Sequence, residues 1–229
     1  MLDDANTGLR PPESQPQAST QPKQLMWDDE GPFFTKIINT WKMTMFSPIK
    51  FFSAVKLTGM GKPLIYALIF GVTGSILNAV WQLLMTKLNI PMFGNQLKFL
   101  ELFNISPEIY SAAMIVLSPI LIIMSLFIWG GILHLSLMIL GGTKNGFEAT
   151  FRSLCYSYSP FILCLLPICG VIVAGIWMIV LVIIGLRETH QSPTWKAVVG
   201  YFMPIVLCIC LAIGAAIAIP LLIAPKMFS

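Results

Sequence analysis

His134, in "WGGILHLSL", is the one ionisable side chain well inside an apolar run of this sequence. Histidine changes charge near neutral pH, and its neutral ring can ligate metals or pass protons. An ionisable residue at such a position is a functional candidate by default. The plainer reading is a neutral imidazole bonded to a neighbouring helix. A second concentration of chemistry is "IIGLRETHQSPTWK", where Arg187, Glu188 and His190 crowd four positions between two greasy runs. A catalytic site, a clamp at headgroup depth and an ordinary connecting loop all fit this pattern.

The recognisable catalytic spacings are missing. There is no HExxH and no GxSxG, and neither a Walker loop nor a Rossmann glycine pattern appears. Cys155, Cys164, Cys169, Cys208 and Cys210 lie in apolar runs, with no CxxC and histidine partner. They read as small hydrophobes, not as a metal set. The chain is therefore read as not an enzyme, with no cofactor and no metal. Asn78 and Gln82, one turn apart, face the same side of an apolar segment and are placed to contact another helix.

The elements that must position these residues are membrane helices. Of 229 residues, 56% are hydrophobic and only 10% charged, against about 25% charged in soluble domains. Four stretches, 63–86, 109–143, 153–186 and 197–225, carry no Asp, Glu, Lys or Arg. Each exceeds the roughly 20 residues needed to cross a hydrocarbon layer of ~30 Å. Runs such as "AAMIVLSPILIIMSLFIWGGIL" lack the period-two alternation of a membrane barrel. The run 153–186 would be about 51 Å long as a single helix. Pro167 and Gly170 in "LLPICGVIV" break it, so a helical hairpin is expected. The fold class that follows is all-α: a polytopic five-helix transmembrane bundle over residues 63–225. Its spans fall at about 63–85, 113–140, 153–168, 171–187 and 198–223.

Orientation follows from basic residues. Arg10, Lys23, Lys36, Lys42, Lys50, Lys56 and Lys62 precede the first span. Lys144, Arg152, Arg187 and Lys196 fall in loops on the same side of a five-span bundle, and only Lys87, Lys98 and Lys226 fall opposite. The N-terminus is expected in the cytoplasm and the C-terminus on the far side, in the cell (inner) membrane. The start "MLDD", with no apolar stretch behind it, does not read as a signal peptide. Residues 1–26, rich in Pro, Gln, Ser and Thr, read as a disordered cytoplasmic tail. The formal net charge of +4 is scattered and does not point to nucleic acid.

Residues 27–62 read as interfacial amphipathic helices. Phe34, Ile37, Ile38, Trp41 and Met45 recur at helical spacing, with Lys36 and Lys42 off the stripe. Ser47 and Pro48 restart a second helix, since Ser suits an N-cap and Pro the first helical position. Ser-Pro recurs at 106–107, 118–119, 159–160 and 192–193. The pairs at 118–119 and 159–160 are expected inside spans, where Pro kinks a helix.

The order of features resembles the Yip1-domain family in its short prokaryotic branch, over roughly residues 35–222. "FSPIKFF" leads in. "GGTKNGFEATFRSLCYSYSPFIL" follows, then "LPICGVIVAGIWMIVLVIIGL" and "GLRETHQSPTWKAVVGYFMP". The resemblance implies five transmembrane helices with a cytoplasmic N-terminus. Its eukaryotic members act in vesicle traffic and bind Rab GTPases and one another. This chain has "GMGKPLIYALI" where those members carry DLYGP, so small-GTPase binding does not transfer. The pattern singles out Glu148, Arg152, Tyr156 and Pro160 in one segment and Arg187, Glu188 and His190 in the other. These two cytoplasmic segments are expected to face each other and form a partner-binding surface.

The expected function is a non-enzymatic membrane organiser or adaptor, with membrane lipids, other membrane proteins or itself as partners. The alternative is a small permease or channel built on Pro-kinked spans and His134. A lipid-acting enzyme using Arg187, Glu188 and His190 has the least support.

Overall fold

The computed structural model describes residues 26–88, 105–167 and 169–227, and among these every regular element is helical. The expected disordered tail lies almost wholly outside the described residues. The chain order is α1 (Phe33–Phe46), α2 (Pro48–Ala54), α3 (Gly61–Lys87), α4 (Pro107–Ile139), α5 (Phe147–Tyr156), a 3-10 segment (Ser159–Leu165), α6 (Cys169–His190) and α7 (Thr194–Met227).

Among the described residues, four helices, α3, α4, α6 and α7, are long and apolar enough to cross a membrane, not the five that the sequence predicts. The stretch 153–168 is the exception. Its hydroxyls bond backward into the backbone: Ser157 Oγ donates to the Ser153 carbonyl at 2.7 Å and Ser159 Oγ to that of Tyr156 at 2.7 Å. Such local bonds compete with a continuous ladder. Pro160 adds no N–H, so the chain leaves α5 and restarts as the tighter 3-10 segment. The predicted hairpin survives in this broken form. Ser153 Oγ meets Thr189 Oγ1 at 3.0 Å near one end of α6, and Leu163 lies against Gly170 near the other. Ser159–Pro160 therefore opens an element instead of kinking a span.

The other spans begin or end within a few residues of expectation. The largest difference is α4, where "SPEIYSA" is helical from Pro107. Ser106 Oγ accepts the Ile109 N–H at 3.3 Å and caps it. Pro119 does fall inside α4. The Ile115 carbonyl, which would have received its missing N–H, instead takes the Ser118 hydroxyl at 2.8 Å.

Side chains that pack inward are mainly leucines, aromatics and small residues. One core joins Leu126, Leu133 and Leu137 of α4 with Phe151 and Leu154 of α5 and Leu186 of α6. A second gathers Trp27, Phe51, Phe52, Tyr66 and Tyr156. Gly185 lets α6 approach α5, since a Cβ there would sit 2.9 Å from Ser153 Cβ. Small residues at such crossings are the usual means of close approach in lipid. Outward faces of the spans are apolar, as at Val116, Ile128 and Leu211. Backbone bonds stay inside each helix, as a lipid environment requires.

The helices α1 and α2 are separated at Ser47–Pro48, where the Ser47 side chain caps nothing. The predicted apolar stripe is divided. Met45 is buried with Thr40 and Thr44 against the bundle, whereas Phe34 and Ile38 are exposed. The inward face is thus partly polar, because Thr40 and Thr44 are spent on hydrogen bonds: Thr40 Oγ1 accepts the Trp27 N–H at 2.7 Å.

Candidate functional site

One end of the bundle collects the start of α3, the ends of α4 and α6, all of α5 and the start of α7. Most of the polar chemistry picked out in the sequence lies there.

Its deepest element is Arg152, whose side chain is wholly buried on α5. Its guanidinium pairs with the Asp28 carboxylate and donates to the carbonyls of Thr58, at 2.7 Å, and Gly59. Asp28 also accepts the Tyr156 hydroxyl at 3.0 Å. Burial, and the Asp28 carboxylate beside it, hold the Tyr156 phenol well above its ordinary pKa, so it remains a donor. A planar guanidinium suits such a multi-acceptor site, and a buried charge demands it. The hub ties the stretch before α1 and the link between α2 and α3 to α5. Trp27 completes the clamp, its indole N–H donating to the Lys62 carbonyl at 2.6 Å.

The second element joins the two histidines. Thr150 Oγ1, on α5, lies 2.9 Å from His134 Nδ1 and 2.8 Å from His190 Nε2. His190 Nδ1 accepts the Asn145 backbone N–H at 3.4 Å. These partners assign the protons. With Nδ1 accepting, His190 carries its proton on Nε2 and donates it to Thr150. The Thr150 hydroxyl then donates to His134 Nδ1. The result is a directed chain across α6, α5 and α4, with the two rings 5.8 Å apart. Gly130 sits one turn before His134, and Leu154 and Phe147 of α5 press against it; Gly131 faces open space.

The segments around "TKNGFEATFR" and "GLRETHQSP" do face each other. Asn145 Nδ2 donates to the Thr189 carbonyl, and Lys196 Nζ reaches the Gly141 carbonyl at 2.9 Å. Arg187 pairs with its neighbour Glu188 at the rim. Glu148 is half-buried, and its Oε1 has no hydrogen-bond partner among the described residues. Arg152 is not part of the rim. Pro160 is buried at the head of the 3-10 segment, about one 3-10 turn from Tyr156 and away from the rim.

Asp28, Thr150, Thr189 and Asn145 escape a reading of the sequence. Thr150 carries one signal, since it lies two residues from both Glu148 and Arg152 in the quoted segment. Asp28 carries none, because it precedes any periodic element and meets Arg152 across 124 positions. Among the described residues, no three or more His, Cys, Asp or Glu side chains gather to hold a metal ion.

The model of the Yip1 domain matches residues 42–216, which contain α2 to α6, the histidine chain and Arg152. The chain belongs to the Yip1-domain family. It is a multi-pass membrane protein. No curated protein and no solved structure matches it at a significant level. The Asp28 end of the Yip1 hub lies just before the matched region, so the domain is completed here by a residue outside it.

Proposed function

We propose that this Yip1-domain protein is a non-enzymatic membrane organiser, an adaptor that binds other membrane proteins or further copies of itself at the polar end of its bundle. The observation that supports it most is the braced surface there. The loops before α5 and after α6 are tied through Asn145 and Lys196, and they leave Lys144 and Trp195 exposed beside the half-exposed Arg187–Glu188 pair. A surface held rigid before binding loses little freedom on docking. The basic residues gathered at this end support a cytoplasmic placement in the cell membrane, with the C-terminus on the far side. Exposed Phe34, Ile38 and Phe46, with exposed Lys42 and Lys50, support contact of α1 and α2 with the interface and its anionic headgroups.

The test is gentle purification of the full chain from native membranes, with mass spectrometry of the proteins and lipids retained. A stoichiometric partner or self-assembly held by the wild type and lost in Arg187→Ala, Glu188→Ala supports the adaptor. A monomer that purifies alone, indistinguishable from the variant, overturns it.

A second reading, a small permease, is favoured by the His134–Thr150–His190 chain, along which a proton can pass. It requires a flux in liposomes that His134→Ala abolishes. Unchanged flux in that variant removes the histidine route.

A further inference from the structure

Away from the polar end, α3 and α4 part and leave a cleft of about 500 Å³. Ser75, Asn78 and Gln82 of α3 and Tyr110, Ser111 and Ser118 of α4 line it, among aliphatic side chains. Among the described residues, no charged side chain borders it. Two sets of observations mark it as more than a seam between helices. Ser111 is only 3% exposed, and its hydroxyl has no hydrogen-bond partner among the described residues. The amides of Asn78 and Gln82 likewise make no hydrogen bond among the described residues. Asn78 lies about 6 Å from the midpoint of α3 at 1.5 Å per residue, inside a hydrocarbon layer of ~30 Å. Polar groups at that depth are stable only with partners.

The lining decides the class of partner. An anion needs a cationic group or a cluster of free N–H groups, and a cation needs carboxylates; the described lining offers neither. Amides and hydroxyls both donate and accept, so they match an uncharged ligand that does the same. The cleft is bordered by the lipid-facing surfaces of two spans, where Val80, Leu117 and Leu121 are exposed, so acyl chains can lie alongside. We propose that it is a binding site for a neutral, hydroxyl-bearing glycerolipid. The glycerol hydroxyl and ester groups bond to Ser111, Asn78 and Gln82, and the chains lie along α4.

The full chain is placed in phosphatidylcholine nanodiscs with a trace of photoreactive diacylglycerol. A parallel set carries photoreactive phosphatidylcholine with the same labelled chain. The expected result is preferential labelling of α3 and α4 by the diacylglycerol. In Asn78→Leu, Gln82→Leu that labelling falls about tenfold, the loss of one to two hydrogen bonds. Leucine is at ease in lipid, so this variant keeps its fold, and Ser111→Ala gives an independent second reading in the same direction. Loss of labelling when free glycerol is added in excess makes a soluble polyol the occupant and overturns the lipid assignment. Equal labelling by both lipids, labelling unchanged in the variants, or a second copy of the chain cross-linked across the cleft overturns the proposal.

Discussion

Replacing Asp28 with alanine removes the carboxylate that pairs with a buried guanidinium. Arg152 is wholly buried and cannot swing into water, while the Asp28 side chain is 13% exposed. The Thr58 and Gly59 carbonyls remain, but they carry no charge. Removing one partner of a buried pair costs about 3–5 kcal/mol. The Tyr156 hydroxyl also loses its acceptor, for which neutral groups lose about 1–3 kcal/mol. Because Asp28 touches solvent, the lower part of the range applies, and we expect a total near ~4 kcal/mol. For a chain of this size that is a fall in melting temperature of about 10 °C. Thermal unfolding followed by tryptophan emission is a suitable assay, since Trp27 lies against Tyr66 with ring centroids 5.9 Å apart. Limited proteolysis should show the segment before α1 released at temperatures where the spans stay protected. A double cycle with Arg152→Met completes the test. Removing both charges should restore much of the loss, because a buried pair is often replaceable by apolar groups. A change under about 1 kcal/mol in Asp28→Ala, or strict additivity in the double variant, refutes the reasoning, since contacting residues should couple.

Thr150→Val keeps the shape of the histidine bridge but strands His190 Nε2–H, and should cost about 1–3 kcal/mol; thermal melts should show Thr150→Ser retaining most of the stability. Gly170→Ala should disrupt the return from the 3-10 segment into α6, since its Cβ would run into the Leu163 carbonyl. Loss of the folded fraction on size-exclusion chromatography would report it, and backbone against backbone leaves no side chain to move aside. Lys42→Glu, Lys50→Glu should weaken association of residues 26–60, as a synthetic peptide, with anionic vesicles by roughly 1 kcal/mol per charge removed; equal binding of the unaltered peptide to neutral vesicles would remove the role of anionic headgroups. Lys56 meets Asp29 at 2.8 Å, and that carboxylate raises its pKa above the ordinary 10.5. A raised lysine pKa means its contribution is fully present below about pH 10.5 and is lost as pH climbs through the higher folded value. Protease protection of the segment before α1 should therefore be flat through neutral pH and decline only in strong alkali.

Helix class, membrane placement and family were all legible in the runs without charge and in the order of the quoted segments. So was the meeting of the two loops at the polar end, because a hairpin brings residues 141–152 and 187–197 to one side. The number of continuous spans was not. Hydropathy counts apolar residues, and Ser157 and Ser159 are too few to register in a 34-residue run, yet their hydroxyls redirect the backbone. His134 and His190 were each visible as isolated oddities. Their union depends on Thr150, an uncharged residue whose value lies in which faces α4 and α6 turn toward α5. Asp28 was invisible for a plainer reason: nothing local distinguishes it from the acids beside it.

The broken arm has a bearing on how the protein is assembled in the bilayer. A complete helix enters lipid with its carbonyls already matched, but a segment of 3-10 turns cannot do so alone. Here the missing donors come from elsewhere: the Trp41 indole of α1 bonds the Ser159 carbonyl at 3.2 Å, and the Trp81 indole of α3 bonds that of Leu165 at 3.2 Å. Both tryptophans are synthesised earlier in the chain. The order of translation thus prepares a receptor of indoles and close-set glycines, Gly71 and Gly74, before the fragile piece emerges. Insertion of that piece is then a docking event on an existing surface, and damage at Trp41 or Trp81 would first be felt during biogenesis, as poor yield, before any loss of function in the mature protein.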